Sequence, residues 1–412
     1  MPDMTSTQPR QARRRRWRRR GLITLGVLTV VAAAGYGYTR TAPFGASPDG
    51  ERRERVEAST HFRDGSFRNA QDIWIDFWGA LWESATGGST EATPAGRVDV
   101  VETDPTAYET PPPGGLRVTW FGHSSALLEV DGVRILTDPI WSERAGPVSF
   151  AGPQRFYAPT IALADLPPID AVVISHDHWD HLDMATIREL AATQARFVVP
   201  LGIGAHLERW GVAPERVSEL DWWEQTSVGD VAVHATPARH QSGRLNPSAN
   251  ETLWAGWALI GPQHRVWYSG DSGFHEQLTE IGARLGPFDV ALVEAGQYDE
   301  HWPDVHYGPE LAVEAARRVG TDVMVPVHWG LFSLAPHAWT EPVERVLAEA
   351  KCAGVAVRVL RPDEPTDPTD SSAAASPWWP ALATRTAAEA PVLGTQSGDP
   401  GQRIDFTPCV LR

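Results

Sequence analysis

Cysteine is almost absent from this chain. Only Cys352 and Cys409 occur among the 412 residues, and neither stands beside another cysteine or a histidine. A metal site built on thiolates is therefore excluded, and a disulfide scaffold is not indicated. The length, with a hydrophobic content of 42%, instead allows one large domain or two ordinary ones around a substantial core.

Positive charge is scarce beyond the first twenty residues. Residues 10–20 carry eight arginines, whereas residues 21–412 hold 28 basic against 51 acidic residues, a net charge of about −23. Extended nucleic-acid binding needs a cationic face that neutralises phosphates. We therefore expect no nucleic-acid partner.

A charge-free run over residues 21–38 follows the basic segment 1–20. Eighteen helical residues span about 27 Å, close to the hydrocarbon core of a bilayer. The positive flank favours the cytoplasmic side. We therefore predict a single transmembrane anchor over 21–38, with the membrane as a partner and the rest of the chain outside the cytoplasm. The alternative is export followed by signal cleavage, because the apolar part is short and ends in small residues.

The two segments that flank the predicted main domain have contrasting compositions. Residues 39–115 read as a linker with an aromatic-rich helical segment, in which positions 74, 77, 78, 81 and 82 share one helical face. We expect this face to pack on the main domain. Contact with a lipid surface is the alternative, since tryptophan is favoured there. Residues 362–412 are rich in Pro, Asp, Thr, Ser and Ala, which predicts a disordered tail.

The main domain, residues 116–361, mixes strand-like and helix-like segments. The apolar runs 126–130 and 133–139 flank Asp131-Gly132, a pattern that predicts a β-hairpin. Further strand-like runs interleave with the predicted helix 309–319. This mixture indicates an α/β domain of two layered sheets rather than a simple alternating βαβ arrangement.

Potential metal ligands are concentrated immediately after the apolar run 171–174. His176, His178, Asp180 and His181 fall within six residues, ahead of a predicted helix. Neutral imidazole and carboxylate are ligands of borderline divalent metals such as zinc. A strand-to-helix turn at the carboxyl end of a strand is also where open α/β sheets place their ligands. The spacing predicts a metal site, whose four ligands could be divided between two neighbouring ions. The alternative is a solvated His/Asp loop.

Three further polar residues follow predicted strands in the same way. His240, Asp271 and His328 each come just after an apolar run and have small or glycine neighbours, where the backbone can approach an ion closely. Together with the first cluster they make seven potential ligands, enough for two sites.

The motif His-x-His-x-Asp-His followed by these three residues resembles the metallo-β-lactamase fold superfamily of metal-dependent hydrolases. More closely, the chain resembles the branch that contains N-acyl-phosphatidylethanolamine-hydrolysing phospholipase D and the UlaG-like lactonases. The resemblance covers roughly residues 60–350 and implies a four-layer αββα fold. Its other motifs are Trp120–Ser124, Leu136–Pro139, Gly152–Phe156, Ser269–Gly273, Gly286–Asp289 and Val327–Gly330.

The resemblance implies a pair of zinc ions, with Mn or Fe as alternatives for the same ligands. The ligands are His176, His178 and His240 for one ion, Asp180, His181 and His328 for the other, and Asp271 as the bridge. Asp138 matches a supporting aspartate that would orient a ligand histidine.

The catalytic residues that the resemblance implies are Asp180, Asp271 and His306. The two carboxylates would hold a water that the metal pair converts to metal-bound hydroxide. His306 aligns with a histidine beside the substrate phosphate and could steady or protonate the leaving group. Its alternative role is a surface histidine that caps the helix from residue 309.

The expected function is therefore phospholipase D-like hydrolysis of a phospholipid phosphodiester by a membrane-tethered enzyme. The alternative substrate is a lactone or another small molecule with a scissile C–O bond. A nuclease is disfavoured by the acidic chain, and a diiron redox enzyme by His178, which stands where such relatives carry an acidic ligand. A binding protein that has lost its catalytic centre is disfavoured because none of the seven ligands is missing.

Overall fold

The computed structural model describes residues 8–244, 250–370 and 377–412. Part of the predicted basic segment (1–7) and part of the predicted disordered tail (371–376) lie outside these ranges. The helices are α1 Gln8–Tyr38, α2 Gly50–Ala58, α3 Phe77–Thr86, α4 Met184–Ala191, α5 Gly204–Arg209, α6 Gln277–Leu285, α7 Pro309–Val319 and α8 Glu341–Ala353. The strands are β1 Phe62–Arg63, β2 Ser66–Phe67, β3 Leu116–Trp120, β4 Ala126–Val130, β5 Val133–Thr137, β6 Ala171–Val173, β7 Arg196–Pro200, β8 Val217–Leu220, β9 Gln225–Val228, β10 Val231–Thr236, β11 Gly256–Ile260, β12 Arg265–Tyr268, β13 Phe288–Glu294 and β14 Thr321–Val327.

Two six-stranded mixed sheets form the main domain. One has the order β3-β4-β5-β6-β7-β8 and the other β14-β13-β12-β11-β10-β9. Strands β4 and β5 pair antiparallel across the predicted hairpin. Asp131 (φ 49°) and Gly132 (φ 86°) both adopt the positive φ that a two-residue primed turn requires. The hairpin prediction is confirmed.

Alternate residues of each strand point to opposite faces of its sheet. Both faces of each sheet are buried, and they belong to different cores. Leu128 of β4 shares the core between the sheets with Val233 of β10. Leu127 packs instead with Ile187 of α4, outside the first sheet. Ala291 of β13 belongs to the core that the second sheet shares with α6, α7 and α8. The order of layers is therefore helix, sheet, sheet, helix, as the resemblance implied.

The longest helix, α1, precedes a segment that is fastened to the main domain. We call residues 40–46 the strap. Trp210 Nε1 donates to Ala42 O at 2.7 Å, Arg244 Nε donates to Pro43 O at 3.0 Å, and Ala46 N donates to His206 Nδ1 at 2.9 Å. Within the described residues, the structure contains no helix that combines the length and the apolar character needed to cross a membrane. The anchor over 21–38 therefore stays a prediction.

Helix α3 exposes its aromatic face, so the expectation that this face packs on the main domain is wrong. Phe77, Trp78, Leu81 and Trp82 are between 51% and 75% exposed. The reason lies on the other side of the helix, because a Cβ at Gly79 would lie 2.5 Å from the imidazole of His301. The glycine side of α3 therefore faces the main domain, and the aromatic residues face outward.

Residues 377–412 pack against the main domain, which corrects the predicted disorder over 362–412 for this part of the tail. Trp379 is buried and its Nε1 donates to Glu344 Oε1 of α8 at 2.7 Å. Trp378 stacks on Trp329 with ring centroids 5.2 Å apart. The two tryptophans supply the apolar burial that the overall composition of the tail did not suggest.

A disulfide joins Cys352 near the end of α8 to Cys409 in the tail. The sequence did not indicate a disulfide scaffold, and this bond corrects that interpretation for the one pair of cysteines. The two cysteines are 57 residues apart in sequence. Glu349 of α8 brings the end of the tail beside them, because its carboxylate accepts from Cys409 N at 2.6 Å and from Val410 N at 3.1 Å.

Candidate metal centre

The seven predicted ligands meet at one place, which we call the metal centre. They come from the loops that follow four strands of both sheets, β6, β10, β12 and β14. The loop after β6 is residues 175–183, the metal loop. His176, His181, His240, Asp271 and His328 are all at most 3% exposed. Because the carboxyl ends of strands from both sheets meet here, ligands far apart in sequence become neighbours.

His176, His178 and His240 form the first group of ring nitrogens. His178 Nδ1 lies 2.9 Å from Nε2 of His176 and 3.2 Å from Nε2 of His240. His240 uses Nδ1 to donate to Val305 O at 2.9 Å. Ser175 Oγ lies 2.9 Å from Nδ1 of His176. These contacts engage the Nδ1 atoms of His176 and His240. The Nε2 atoms of these two rings therefore face the same point as Nδ1 of His178, which is the arrangement that a three-nitrogen metal site requires.

Asp180, His181 and His328 form the second group. His181 Nε2 lies 3.2 Å from Nε2 of His328, and each of these nitrogens lies 3.4 Å from Asp180 Oδ2. Nδ1 of His181 lies 2.7 Å from Asp138 Oδ2. Asp138 thus stands where the sequence predicted it, behind a ligand histidine. It also accepts from Tyr268 OH at 2.5 Å.

Asp271 lies between the two groups. Its Oδ2 is 3.1 Å from His181 Nε2 and 3.2 Å from His328 Nε2. The same oxygen is 3.9 Å from Nε2 of both His176 and His240. Oδ1 is buried and has no hydrogen-bond partner within the described residues. A buried carboxylate oxygen without a donor is costly unless a cation is present, so this position suits a bridging ligand.

The electrostatics of the centre favour metal ligation. Burial lowers the pKa of His176 and of His240 well below the usual histidine range, so both rings are neutral, the form that binds metal. Although burial opposes ionisation of Asp271, the imidazoles of His181 and His328 hold its pKa well below the usual range. The neutral rings of His176 and His240 and the ionised carboxylate of Asp271 therefore converge, and imidazole and carboxylate together fit borderline divalent ions.

His306 also reaches the centre. Its Nδ1 lies 3.9 Å from Asp271 Oδ2 and 3.5 Å from Glu294 Oε2. Its ring stacks on that of His328 with centroids 5.1 Å apart. Helix α7 begins after Gly308 without a side-chain cap, so the capping alternative for His306 is not what the structure shows. Its catalytic role stays a prediction.

Two further residues lie at the metal centre, and the sequence did not predict a role there for either of them. His123 is buried, and its Nε2 lies 2.8 Å from Asp180 Oδ2. Glu294, buried at the end of β13, has Oε2 3.7 Å from His328 Nδ1. An acid that closely follows an apolar run is the signal that identified Asp271, and the run 290–293 directly before Glu294 could have identified this residue in the same way.

Comparison with known proteins gives three kinds of match. Residues 133–329 match the family model for the beta-lactamase superfamily domain. An uncharacterised protein of Mycobacterium tuberculosis is 45% identical over 337 residues, which cover 78% of this chain and 88% of that protein. N-acyl-phosphatidylethanolamine-hydrolyzing phospholipase D 1 of Caenorhabditis elegans is 36% identical over 232 residues, 53% of this chain and 65% of the relative. A solved metallo hydrolase from Ignicoccus hospitalis is 26% identical, covering 61% of this chain and 97% of its own, with a TM-score of 0.48.

Proposed function

The chain belongs to the beta-lactamase superfamily and is a metal-dependent hydrolase, and from this premise we propose that it cleaves a phosphodiester bond of a phospholipid. The position of Asp271 between two groups of potential ligands carries the proposal, because a two-ion centre suits phosphodiester hydrolysis. The phospholipase D relative from Caenorhabditis elegans supports the substrate class.

Two zinc ions fit the donor set. The first group would hold one ion and the second group the other, with Asp271 shared between them. When bound, such a pair supplies positive charge that polarises a phosphoryl oxygen and makes water more acidic. Asp138 keeps Nε2 of His181 directed inward by accepting from its Nδ1.

The remaining chemistry falls to side chains of this chain. Asp180 and Asp271 would orient the attacking water by accepting its hydrogen bonds. His306 has a side chain that is 13% exposed, which places it at the boundary between the buried centre and solvent. From there its ring N–H would steady the leaving-group oxygen. Burial lowers the pKa of His306, so a neutral ring performs this role near neutral pH.

The exposed aromatic face of α3 supports a lipid substrate. Asp76 N donates to His301 O at 2.7 Å, which fixes the start of α3 to the loop that leads to His306. Exposed Trp and Phe side chains on a helix partition into the headgroup region of a bilayer. We include in the proposal that this face contacts the membrane and that the N-terminal segment anchors the chain there, with the main domain outside the cytoplasm.

A substrate panel tests the proposal. The purified, zinc-loaded chain is assayed with N-acyl-phosphatidylethanolamine, phosphatidylcholine, a chromogenic phosphodiester and a set of lactones. We expect zinc-dependent release of phosphatidic acid species, with turnover at least about 100-fold lower in His176→Ala. His234→Ala, a histidine of β10 outside the centre, is the matched control and should retain activity. Turnover of lactones alone would favour the alternative C–O hydrolase, and no zinc-dependent turnover of any phosphodiester would refute the proposal.

A further inference from the structure

A second cluster of potential metal ligands lies outside the metal centre. It consists of Glu83 on α3 and of Asp299 and His301 in the loop between β13 and α7. One ligand atom of each residue lies within 4.8 Å of the others. None of the three belongs to the seven ligands of the metal centre, and the function proposed above does not use them.

The surroundings of His301 repeat an arrangement seen in the metal centre. His301 Nε2 lies 3.4 Å from Glu83 Oε2, and its Nδ1 lies 3.4 Å from Asp76 Oδ2. In the same way, Nδ1 of His181 faces Asp138 while its Nε2 faces the ligands. A carboxylate behind one ring nitrogen keeps the other available for a metal.

The remaining acid, Asp299, is hydrogen-bonded and shielded from solvent. Asp299 is 5% exposed, and its Oδ1 accepts from His301 N at 2.9 Å. This bond sets the two potential ligands of the loop beside each other. A Cβ at Gly79 would meet both Asp76 Oδ2, at 2.3 Å, and the ring of His301. The absence of a side chain at 79 thus permits the close approach of α3 to the loop.

Negative charge accumulates at this cluster. Glu83 and Asp299 line a cavity of about 100 Å³ together with Glu300 and Glu389. Arg385 also lines the cavity, but its Nε lies 3.4 Å from Glu341 Oε2, which takes up its charge. Carboxylates that crowd together at reduced hydration are stabilised when a cation joins them.

We propose that Glu83, Asp299 and His301 bind a divalent cation of the zinc type, which ties α3 to the loop that leads to His306. One imidazole and two carboxylates are the ligand types of zinc sites that complete their coordination with water. The bound ion crosslinks the helix that displays the exposed aromatic face to a loop of the metal centre. The orientation of that face then depends on the ion.

Zinc content measured by equilibrium dialysis and elemental analysis of the full chain tests the proposal. The wild-type chain should bind one zinc equivalent more than Glu83→Gln or His301→Gln. Glu300→Gln removes a charge that lines the cavity but does not supply one of the three ligands, so at saturating zinc its zinc content should equal that of wild type. The test compares the zinc content of variants with that of wild type. Its outcome therefore does not depend on how many ions the metal centre holds or on whether the proposed function is correct.

Hydrogen exchange gives an independent readout of the same ion. Zinc should slow amide exchange over residues 77–86 in the wild-type chain and leave it unchanged in Glu83→Gln. The Glu83 side chain is 28% exposed, so its replacement by glutamine should preserve the fold, which far-UV circular dichroism checks. Equal zinc content in wild type and both cluster variants, or equal loss in Glu300→Gln, would overturn the proposal.

Discussion

His123 holds the carboxylate of Asp180 from outside the ligand set. Its Nε2 lies 2.8 Å from Asp180 Oδ2, while its ring lies against that of His328 with centroids 4.1 Å apart. The backbone at this position is also fixed, because His328 N donates to His123 O at 2.8 Å and His123 N donates to Trp329 O at 3.2 Å. One buried side chain thus positions two ligands of the second group.

Replacing His123 by alanine should weaken metal binding to the second group. We expect a 10–100-fold loss of affinity for one ion, the range that accompanies loss of a residue supporting a ligand. Chelator competition measures this loss. His264→Ala removes a histidine at the far side of the main domain, bonded to Asp131 at 2.7 Å, and should leave the metal affinity unchanged. Equal affinities in wild type and His123→Ala would show that Asp180 does not need this support.

Gly45 of the strap and Gly50 at the start of α2 offer a pair of glycine substitutions. Gly45 (φ 74°, ψ −156°) and Gly50 (φ 48°) both have a positive φ, so alanine strains the backbone at each, by about 1–3 kcal/mol. A Cβ at Gly45 would lie 2.0 Å from Nδ1 of His206, whereas a Cβ at Gly50 meets nothing within 4 Å. Gly45→Ala should therefore lower the free energy of unfolding by a further ~1–3 kcal/mol. Urea denaturation of both variants measures the difference.

The same pair tests whether the strap influences the metal centre. His206 links the strap to the metal loop, because its Nδ1 accepts from Ala46 N and its Nε2 lies 3.2 Å from Asp177 Oδ2. Asp177 stands between two of the ligands. We expect weaker metal binding in Gly45→Ala and unchanged binding in Gly50→Ala. Identical binding in the two variants would limit the strap to a purely structural role.

Asp363 should make the stability of the protein depend on pH. Burial raises the pKa of its carboxyl from 3.8 to about 7, against the opposing effects of Thr160 and Arg155. The folded chain therefore binds more protons than the unfolded chain between these values, and stability falls as pH rises from about 4 to about 7. Above pH 7 the full effect is on the order of 4 kcal/mol.

Asp363→Asn should remove this dependence. Asparagine tolerates the positive φ of 67° at this position, so the substitution adds little backbone strain. The difference in free energy of unfolding between variant and wild type, measured by urea denaturation from pH 4 to pH 8, should grow in favour of the variant. A constant difference across this range would mean that the carboxyl keeps an ordinary pKa.

Trp78→Ser should weaken binding to lipid vesicles. The side chain is 75% exposed, and burying a large apolar side chain in the headgroup region contributes about 1.5–3 kcal/mol. Vesicle affinity in sedimentation assays should fall about 10-fold or more. Val410→Ser, an exposed apolar residue of the tail, is the control. If membrane contact is the role of α3, hydrolysis of a soluble chromogenic phosphodiester should be the same in both variants.

Local sequence predicted that the seven side chains meet, because each of them has a local signal. His240, Asp271 and His328 each follow an apolar strand, and the metal loop concentrates four ligand types within six residues. Loops at the carboxyl ends of neighbouring strands converge, so a pattern along the chain becomes a cluster in space. The Asp131-Gly132 turn was predictable for a similar reason, since its conformation depends on two adjacent residues.

Features that depend on distant partners were not predictable. Trp378 stacks on Trp329, and Cys409 is bonded to Cys352. Both contacts depend on tertiary packing, which the residues next to them in sequence do not predict. For α3, the sequence indicated an apolar face but not its direction. Gly79 decides that direction through His301, a residue more than 200 positions away. His206 likewise has no local signal, because its partners Ala46 and Asp177 lie in two other segments.

The division of the ligands between two sheets has a consequence for biosynthesis. The metal loop is translated early, but His240, Asp271 and His328 belong to the second sheet, and the last of them follows β14. A nascent chain shorter than this lacks His328 of the second group, and one shorter than 240 residues also lacks His240 of the first group. If these side chains hold the metal pair as proposed, both groups are complete only after His328 has left the ribosome and the second sheet has formed, so full loading would follow translation.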